Sequence, residues 1–158
     1  MSPTVQLRDM ELSDLPLFQE WLALPHVAAW YHDPEDWIDE VKQQDGAFAF
    51  VKHFIYESEG RPVGFCQYYP YWLSGEDWHG NIPLEGTYSI DYMIGNPKFL
   101  GKGYGKAMIG SLLEQIKTRP DACRVIVQPE PENQASCGAL LSCGFCFDAE
   151  NQIYLLAL

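Results

Sequence analysis

The sequence has no run of apolar residues long enough to cross a membrane, since a spanning helix needs roughly 18 or more of them. Its first residues, Met1–Thr4, also lack the basic segment and following apolar stretch that mark a secretory signal. We therefore expect a soluble, cytoplasmic protein with no membrane partner. The length of 158 residues, of which 47% are hydrophobic and 14% aromatic, predicts one compact domain over residues 1–158.

Basic residues are few, with 10 lysines and arginines against 22 aspartates and glutamates, which gives a net charge of -12. The imbalance lies in residues 1–96, where 16 acids face four bases, whereas residues 97–158 hold six of each. An acidic surface repels nucleic-acid phosphate and attracts cations. The charge therefore favours a cationic partner over DNA or RNA, although acidity that serves only solubility is an equal alternative.

Disulfide and metal-binding patterns are missing as well. The five cysteines cannot all pair internally and are not spaced like a secreted disulfide framework. Cys143 and Cys146 form a CxxC, yet no second pair or nearby histidine completes a zinc site. The four histidines show no ligand spacing, and no serine or cysteine nucleophile motif is present. The sequence predicts reduced cysteines that pack in the core, and no metal.

Hydrophobic periodicity predicts an α+β domain with the element order βααβββαβαββ. Ser13 and Asp33 are expected to cap the first two helices, with Pro34 in the first turn of the second, and Glu59-Gly60 is expected to turn a hairpin. The predicted strands are Val5–Arg8, Ala47–Glu57, Pro62–Tyr71, Thr87–Ile94, Arg124–Gln128, Phe145–Asp148 and Ile153–Leu158, and the predicted helices are Asp14–Leu24, Glu35–Gln44, Lys106–Lys117 and Asn133–Ser142.

A glycine-rich loop, Gly101–Gly105, leads into the third predicted helix. Glycines at alternate positions let successive backbone NH groups point into one concavity, and the helix N-terminus adds a positive dipole end, so the segment suits a phosphate. An ordinary tight turn is the alternative. A P-loop is excluded because Leu100 and Ala107 stand where it needs a glycine and a serine or threonine. A dinucleotide fingerprint fits poorly, since the third glycine comes one residue too early.

Two ordered motifs resemble those of the GNAT acetyltransferases. Leu100–Gly105 is similar to the family's coenzyme A loop and has both of its glycines, with a leucine where the family usually has arginine or glutamine. Pro131–Asn133 with Ala135, followed by Gly144-Phe145, resembles the later signature, in which an asparagine opens a helix beside the cofactor. The resemblance spans nearly the whole chain. It implies the GNAT fold, a mixed and mostly antiparallel central sheet flanked by helices, with acetyl-coenzyme A as the acyl donor.

Within this superfamily the chain is most similar to the aminoglycoside 6'-N-acetyltransferases, which are antibiotic-resistance enzymes. Gln128 stands where that group tends to carry an acid. The resemblance implies a small cationic amine as substrate and a monomer or homodimer. It is carried by Glu20–Leu22, Pro25–Val27, Trp30, Pro62–Gly64, Gln67-Tyr68, Ser74–Trp78 and Ser89–Asp91.

The resemblance also assigns residues to tasks. Asp91 is the expected catalytic residue, acting on the acceptor amine directly, through water or as an electrostatic anchor; an ordinary solvated carboxylate is the alternative. Backbone NH groups near Tyr92 and Met93 are expected to polarise the acetyl carbonyl. The expected cofactor-binding residues are Tyr92, Met93, Ile94, Gly101, Lys102, Gly103, Tyr104, Gly105, Lys106 and Asn133. The expected acceptor-binding residues, which supply aromatic faces and carboxylates, are Trp30, Tyr31, Glu76, Asp77, Trp78 and Asp91.

Leu140 stands where many family members have a tyrosine that protonates the departing thiolate. A thiol with a pKa of about 8.5 leaves largely as thiolate, and Tyr104 or water are the candidate substitutes. Direct transfer without a covalent enzyme intermediate is expected. Two other functions stay open. One is acylation of a different amine, such as a siderophore precursor, a polyamine or a peptide terminus, and the other is a non-catalytic module that binds acetyl-coenzyme A.

Overall fold

The computed structural model describes residues 4–158, and within them the chain forms seven strands and five α-helices, with three short 3-10 turns. No helix in this range is long and apolar enough to cross a membrane. The strands are β1 (Val5–Asp9), β2 (Lys52–Ser58), β3 (Arg61–Pro70), β4 (Thr87–Ile94), β5 (Arg124–Val127), β6 (Cys146–Asp148) and β7 (Ile153–Ala157), and the helices are α1 (Leu15–Ala23), α2 (Pro25–Ala28), α3 (Pro34–Lys42), α4 (Tyr104–Lys117) and α5 (Gln134–Ser142).

The seven strands make one sheet in the order β1-β2-β3-β4-β5-β7-β6. The pairs β1–β2, β5–β7 and β6–β7 are antiparallel, and β4 runs parallel to β5. The expected α+β fold with a mixed, mostly antiparallel sheet is therefore confirmed. The register of β4 with β5 begins at Thr87↔Arg124 and ends at Ser89↔Ile126, so the last five residues of β4 lie beyond this pairing.

Contacts between residues divide the chain into two compact units. The first contains residues up to Gln67 together with Tyr92–Tyr104, and the second contains Tyr68–Asp91 together with Gly105–Leu158. A single domain over residues 1–158 stays a prediction.

The first unit has a core built on the apolar face of α1. Phe18, Trp21 and Leu22 are buried there, as the helical spacing of these residues requires. Trp21 also explains Gly95, because a Cβ on Gly95 would overlap the indole ring. The other buried members of this core are Met10, Val27, Val41, Ile55, Phe65 and Met93.

The second unit buries the apolar face of α4 and the strand that follows it. The buried side chains of α4 recur at spacings of one and three residues, which places them on one face of the helix and matches the predicted amphipathic pattern. The buried side chains of these elements are Met108, Ile109, Leu112, Leu113 and Ile116 on α4 and Val125, Ile126 and Val127 on β5.

Several predicted boundaries are wrong for local reasons. Pro25 does not only end the first helix; it also occupies the first turn of the short helix α2, where its missing NH costs nothing, and this adds a helix to the predicted order. Ser13 does not cap α1, because residues 12–14 form a 3-10 turn and Asp14 takes the cap position. The strand predicted from Ala47 begins only at Lys52, after a run of turns.

Other predictions are confirmed. β4 has the predicted bounds, and Pro34 lies in the first turn of α3; Asp33 occupies the N-cap position, but its side chain makes no capping hydrogen bond. Glu59 and Gly60 form the tight turn between β2 and β3, with left-handed φ angles of 51° and 78°.

Candidate functional site

The strand β4 carries the predicted catalytic carboxylate. Within its paired part, the Ser89 hydroxyl donates a hydrogen bond of 2.7 Å to the carbonyl of Ile126 on β5. Asp91 follows two residues later, beyond the last pair of the register, and is half-buried. Asp91 therefore lies in the part of β4 that extends beyond its pairing with β5.

The carbonyls at the end of β4 accept hydrogen bonds from side chains near α2. The Tyr31 hydroxyl donates to the carbonyl of Tyr92 at 2.5 Å, and a ring nitrogen of His26 lies 2.9 Å from the carbonyl of Ile94. Met93 between them is buried in the core of the first unit. These bonds use carbonyl groups, so the expectation that backbone NH groups near Tyr92 and Met93 polarise a substrate carbonyl stays a prediction.

The two aromatic residues expected to bind the acceptor from the first unit differ in exposure. Trp30 is exposed over 37% of its surface, whereas Tyr31 is half-buried with its ring 4.8 Å from that of Trp37. The Tyr31 hydroxyl donates its hydrogen bond to the Tyr92 carbonyl, so Tyr31 contacts the end of β4. A direct contact of either residue with an acceptor stays a prediction.

In the second unit, the structure builds a defined site around Glu76. The Glu76 carboxylate accepts a hydrogen bond of 2.9 Å from the Tyr69 hydroxyl on one oxygen and a hydrogen bond from the Trp78 indole NH on the other. Glu76 and Asp77 are exposed, and Trp78 is half-buried with its ring edge-on to Tyr71 at 4.9 Å. The structure therefore brings Glu76 and Trp78 together, with the indole NH donating to the carboxylate, and their contact with an acceptor stays a prediction.

Tyr69 is the buried partner of the Glu76 carboxylate. The ring lies on β3 and is only 7% exposed. Burial, and then the negative charges of Asp91 and Glu76, raise the pKa of the Tyr69 hydroxyl well above its ordinary value of 10.0. The Tyr69 hydroxyl therefore stays protonated at physiological pH and can donate its hydrogen bond to Glu76.

The glycine-rich loop has the backbone form that a phosphate site needs. Gly101 and Gly103 have φ angles of 71° and 85°, in the left-handed region that favours glycine. No protein atom lies within 4 Å of a Cβ built on Gly101, Gly103 or Gly105, so open space adjoins the backbone at all three positions. Lys102 and Lys106 are exposed. The loop can therefore admit an anion against its backbone.

Tyr104 begins α4, two residues earlier than predicted. Its ring packs edge-on against Phe99 at 5.2 Å, and its hydroxyl lies 3.1 Å from the Ser58 hydroxyl oxygen. These contacts give Tyr104 a structural role in the first unit. A role as substitute general acid is an expectation that they do not support.

The later signature forms a helix start. Asn133 is the N-cap of α5, and its side-chain oxygen accepts a hydrogen bond of 3.2 Å from the NH of Ser136. Leu140, at the position of the usual tyrosine, is fully buried in α5. Within residues 4–158, no group of three histidine, cysteine, aspartate or glutamate side chains is placed to hold a metal ion.

Sequence reasoning missed Tyr69, Tyr71 and His26. Tyr69 lies near the end of β3, and Tyr71 begins the 3-10 turn that follows it; the aromatic composition of this segment was the available signal. Their contact with the segment that carries Glu76 depends on how residues 71–79 fold back, and no local pattern encodes this.

Comparisons with known proteins point to one family. Residues 11–153 match the family described as an acetyltransferase (GNAT) domain. The aminoglycoside N(6')-acetyltransferases type 1 of Klebsiella pneumoniae and Serratia marcescens are each 27% identical over 152 residues, with 90% of this chain and 74% of the relative covered.

Solved structures share the fold. A crystal structure of the aminoglycoside acetyltransferase AAC(6')-Ib with coenzyme A and kanamycin has a TM-score of 0.80 at 25% identity, with 98% of this chain and 95% of that chain covered. An aminoglycoside N(6')acetyltransferase from Legionella pneumophila has a TM-score of 0.74 at 20% identity, with coverages of 99% and 94%. Since the family match extends over nearly the whole sequence and the fold agrees with it, this chain belongs to the GNAT acetyltransferase family.

Proposed function

We propose that this chain transfers the acetyl group of acetyl-coenzyme A to an amine of an aminoglycoside. The observation that carries the proposal is the exposed Glu76 carboxylate, which the Tyr69 hydroxyl and the Trp78 indole NH hold in place. Aminoglycosides carry several ammonium groups, and carboxylates that are held in place bind such groups through charge-assisted hydrogen bonds. The relatives named for aminoglycoside acetylation add support.

The glycine-rich loop fits the phosphates of acetyl-coenzyme A. Left-handed backbone at Gly101 and Gly103, open space beside the loop and the N-terminus of the 14-residue helix α4 are the features that bind pyrophosphate in other proteins. Lys102 and Lys106 add positive charge, and Asn133 is proposed to contact the same cofactor from the start of α5. When bound, acetyl-coenzyme A supplies an activated acetyl thioester.

The proposed reaction is a direct transfer. The acceptor nitrogen attacks the carbonyl carbon of the thioester, a nitrogen–carbon bond forms, and the carbon–sulfur bond breaks with its electron pair on sulfur. The nitrogen must lose a proton, which passes to Asp91 directly or through water. Backbone NH groups of Tyr92 and Met93 are proposed to polarise the carbonyl. Leu140 is apolar and buried, so coenzyme A leaves as thiolate, which its pKa of about 8.5 permits.

The proposed acceptor site contains Trp30, Tyr31, Asp77 and Trp78 besides Glu76 and Asp91. We place the reaction in the cytoplasm, where acetyl-coenzyme A is made, with the protein as a monomer or homodimer. The acidic first part of the chain suits cationic substrates and opposes nucleic acid.

Release of free thiol from acetyl-coenzyme A tests the proposal. The acceptor panel contains kanamycin, which has a 6'-amine, paromomycin, which has a hydroxyl at that position, spermidine and free amino acids. We expect turnover with kanamycin and much weaker turnover with paromomycin. Turnover with spermidine or an amino acid alone would assign another amine to the same fold. Tight binding of acetyl-coenzyme A without turnover of any acceptor would indicate a binding module.

A further inference from the structure

Both oxygens of the Glu76 carboxylate are held by neutral donors. The Tyr69 hydroxyl donates to one oxygen at 2.9 Å, and the Trp78 indole NH donates to the other. Neither donor carries a charge, so the two bonds fix the direction of the carboxylate without neutralising it. Glu76 itself is exposed, which leaves its remaining lone pairs accessible to a cation from solution.

The donors are themselves fixed. Tyr69 is buried on β3, and the Trp78 ring packs edge-on against the fully buried ring of Tyr71 at 4.9 Å. The Ser74 hydroxyl donates to the Tyr71 carbonyl at 2.7 Å and accepts from the NH of Glu76 at 3.1 Å. An exposed glutamate normally loses side-chain entropy when it binds a ligand, and here the fold has already restricted it.

Asp91 lies two residues after Ser89 on β4, so the alternation of a strand places both side chains on one face. The Ser89 side chain lies within hydrogen-bond reach of the Tyr69 hydroxyl, and the negative charge of Asp91 is one of the causes, after burial, that raise the pKa of that hydroxyl. Tyr69 therefore holds Glu76 near the strand that carries the proposed base.

We infer that Tyr69 is a positioning residue for acceptor binding: its hydroxyl holds the Glu76 carboxylate in the direction from which it receives an ammonium group of the acceptor. The inference rests on the proposed function, since it concerns the acceptor side of that reaction. Trp78 performs the same task from the other carboxylate oxygen.

A double-mutant cycle tests the inference through the Michaelis constant for kanamycin. Glu76→Gln is expected to raise this constant about tenfold and Tyr69→Phe about fivefold, as loss of a charged contact and of a hydrogen bond to a charged group imply. In the Glu76→Gln background, Tyr69→Phe is expected to add less than about twofold, because residues that act through one another are not additive. The constant for acetyl-coenzyme A and the value of kcat are expected to stay within about twofold.

Tyr68→Phe is the matched control, since Tyr68 is a buried tyrosine adjacent on β3 whose side chain packs against Tyr88 at 6.2 Å. It removes the same hydroxyl group and is expected to leave the kanamycin constant unchanged. Full additivity of Tyr69→Phe and Glu76→Gln, or an equal effect of Tyr68→Phe, would overturn the positioning role. A merely structural role for Tyr69 would instead lower kcat and raise both Michaelis constants.

The indole ¹⁵N–¹H resonance of Trp78, assigned by its loss in Trp78→Phe, gives a readout without turnover. Titration with kanamycin is expected to shift this resonance, and Tyr69→Phe is expected to move it in the free protein and to weaken the titration. An unchanged resonance in both experiments would refute the inference. A normal titration in a parent protein that acetylates nothing would refute the proposed reaction and leave the cation receptor standing.

Discussion

Gly103 and Gly60 form a matched pair that tests whether the glycine-rich loop binds the cofactor. Both have left-handed φ angles, 85° and 78°, and at both an added Cβ meets no atom within 4 Å. Alanine at either position is therefore expected to lower the free energy of unfolding by about 1 kcal/mol, because a residue with a Cβ is strained in left-handed backbone. For a chain of this size, that cost lowers the unfolding temperature by about 2–4 °C.

The two variants differ in the part of the molecule that surrounds the added methyl group. At Gly103 the new methyl group enters the space that we propose for a phosphate of acetyl-coenzyme A, whereas Gly60 lies in the turn between β2 and β3. Gly103→Ala is expected to raise the Michaelis constant for acetyl-coenzyme A about tenfold or more, equivalent to at least about 1.4 kcal/mol. Gly60→Ala is expected to leave it unchanged.

The assay combines thermal unfolding with initial rates at varied acetyl-coenzyme A, and direct cofactor binding by calorimetry. If both variants lose the same unfolding temperature and only Gly103→Ala binds acetyl-coenzyme A more weakly, the result supports phosphate binding by the glycine-rich loop. If both variants bind acetyl-coenzyme A as the parent does, the loop is an ordinary tight turn. If both lose binding equally, the effect reports stability alone.

Three further predictions concern single side chains. Asp91→Asn is expected to lower kcat/KM for kanamycin about 100-fold, the scale of general-base catalysis, and a parent-like value from neutral to mildly alkaline pH would exclude Asp91 as base or anchor. Leu140→Tyr is expected to lower the free energy of unfolding by about 1–3 kcal/mol without raising kcat, because Leu140 is fully buried and a larger ring overpacks the site; a gain in kcat would contradict this. Burial lowers the pKa of His53 from 6.5 to about 4, so the unfolded chain binds the extra proton between these values and stability falls as pH drops through that range. In urea unfolding, the parent is expected to lose up to about 3 kcal/mol of its free energy of unfolding between these pH values, and His53→Leu is expected to lose less. Identical pH profiles for the two proteins would refute this prediction.

Elements set by local chemistry could be predicted from the sequence. The strand β4 follows from its apolar pattern and its Gly95-Asn96-Pro97 ending, and α3 follows from Asp33-Pro34. Predictions failed where two local signals competed. Pro25 predicts the end of a helix, but a proline also fits the first turn of a helix. In this chain it follows the end of α1 and begins α2. Ala47–Val51 has strand-like composition, but backbone hydrogen bonds of consecutive turns close that segment instead.

Residue types in the site could be predicted, and their hydrogen bonds could not. The family resemblance predicted Glu76, Trp78 and Asp91, because it depends only on residue types and their order along the sequence. The bond between Tyr69 and Glu76 joins residues seven apart through a 3-10 turn at residues 71–73 and the bend after it, so no strand or α-helix periodicity predicts it. The burial of Leu140 could be predicted from its apolar side chain. The hydrogen bond between the hydroxyl groups of Tyr104 and Ser58 could not, because the two residues are 46 positions apart.

The most direct test of the account is the product formed from acetyl-coenzyme A and kanamycin. Mass spectrometry and NMR are expected to show kanamycin heavier by one acetyl group, placed on the 6'-amine, in amounts equal to the coenzyme A thiol released. Unmodified kanamycin in the presence of bound acetyl-coenzyme A would contradict the proposed reaction.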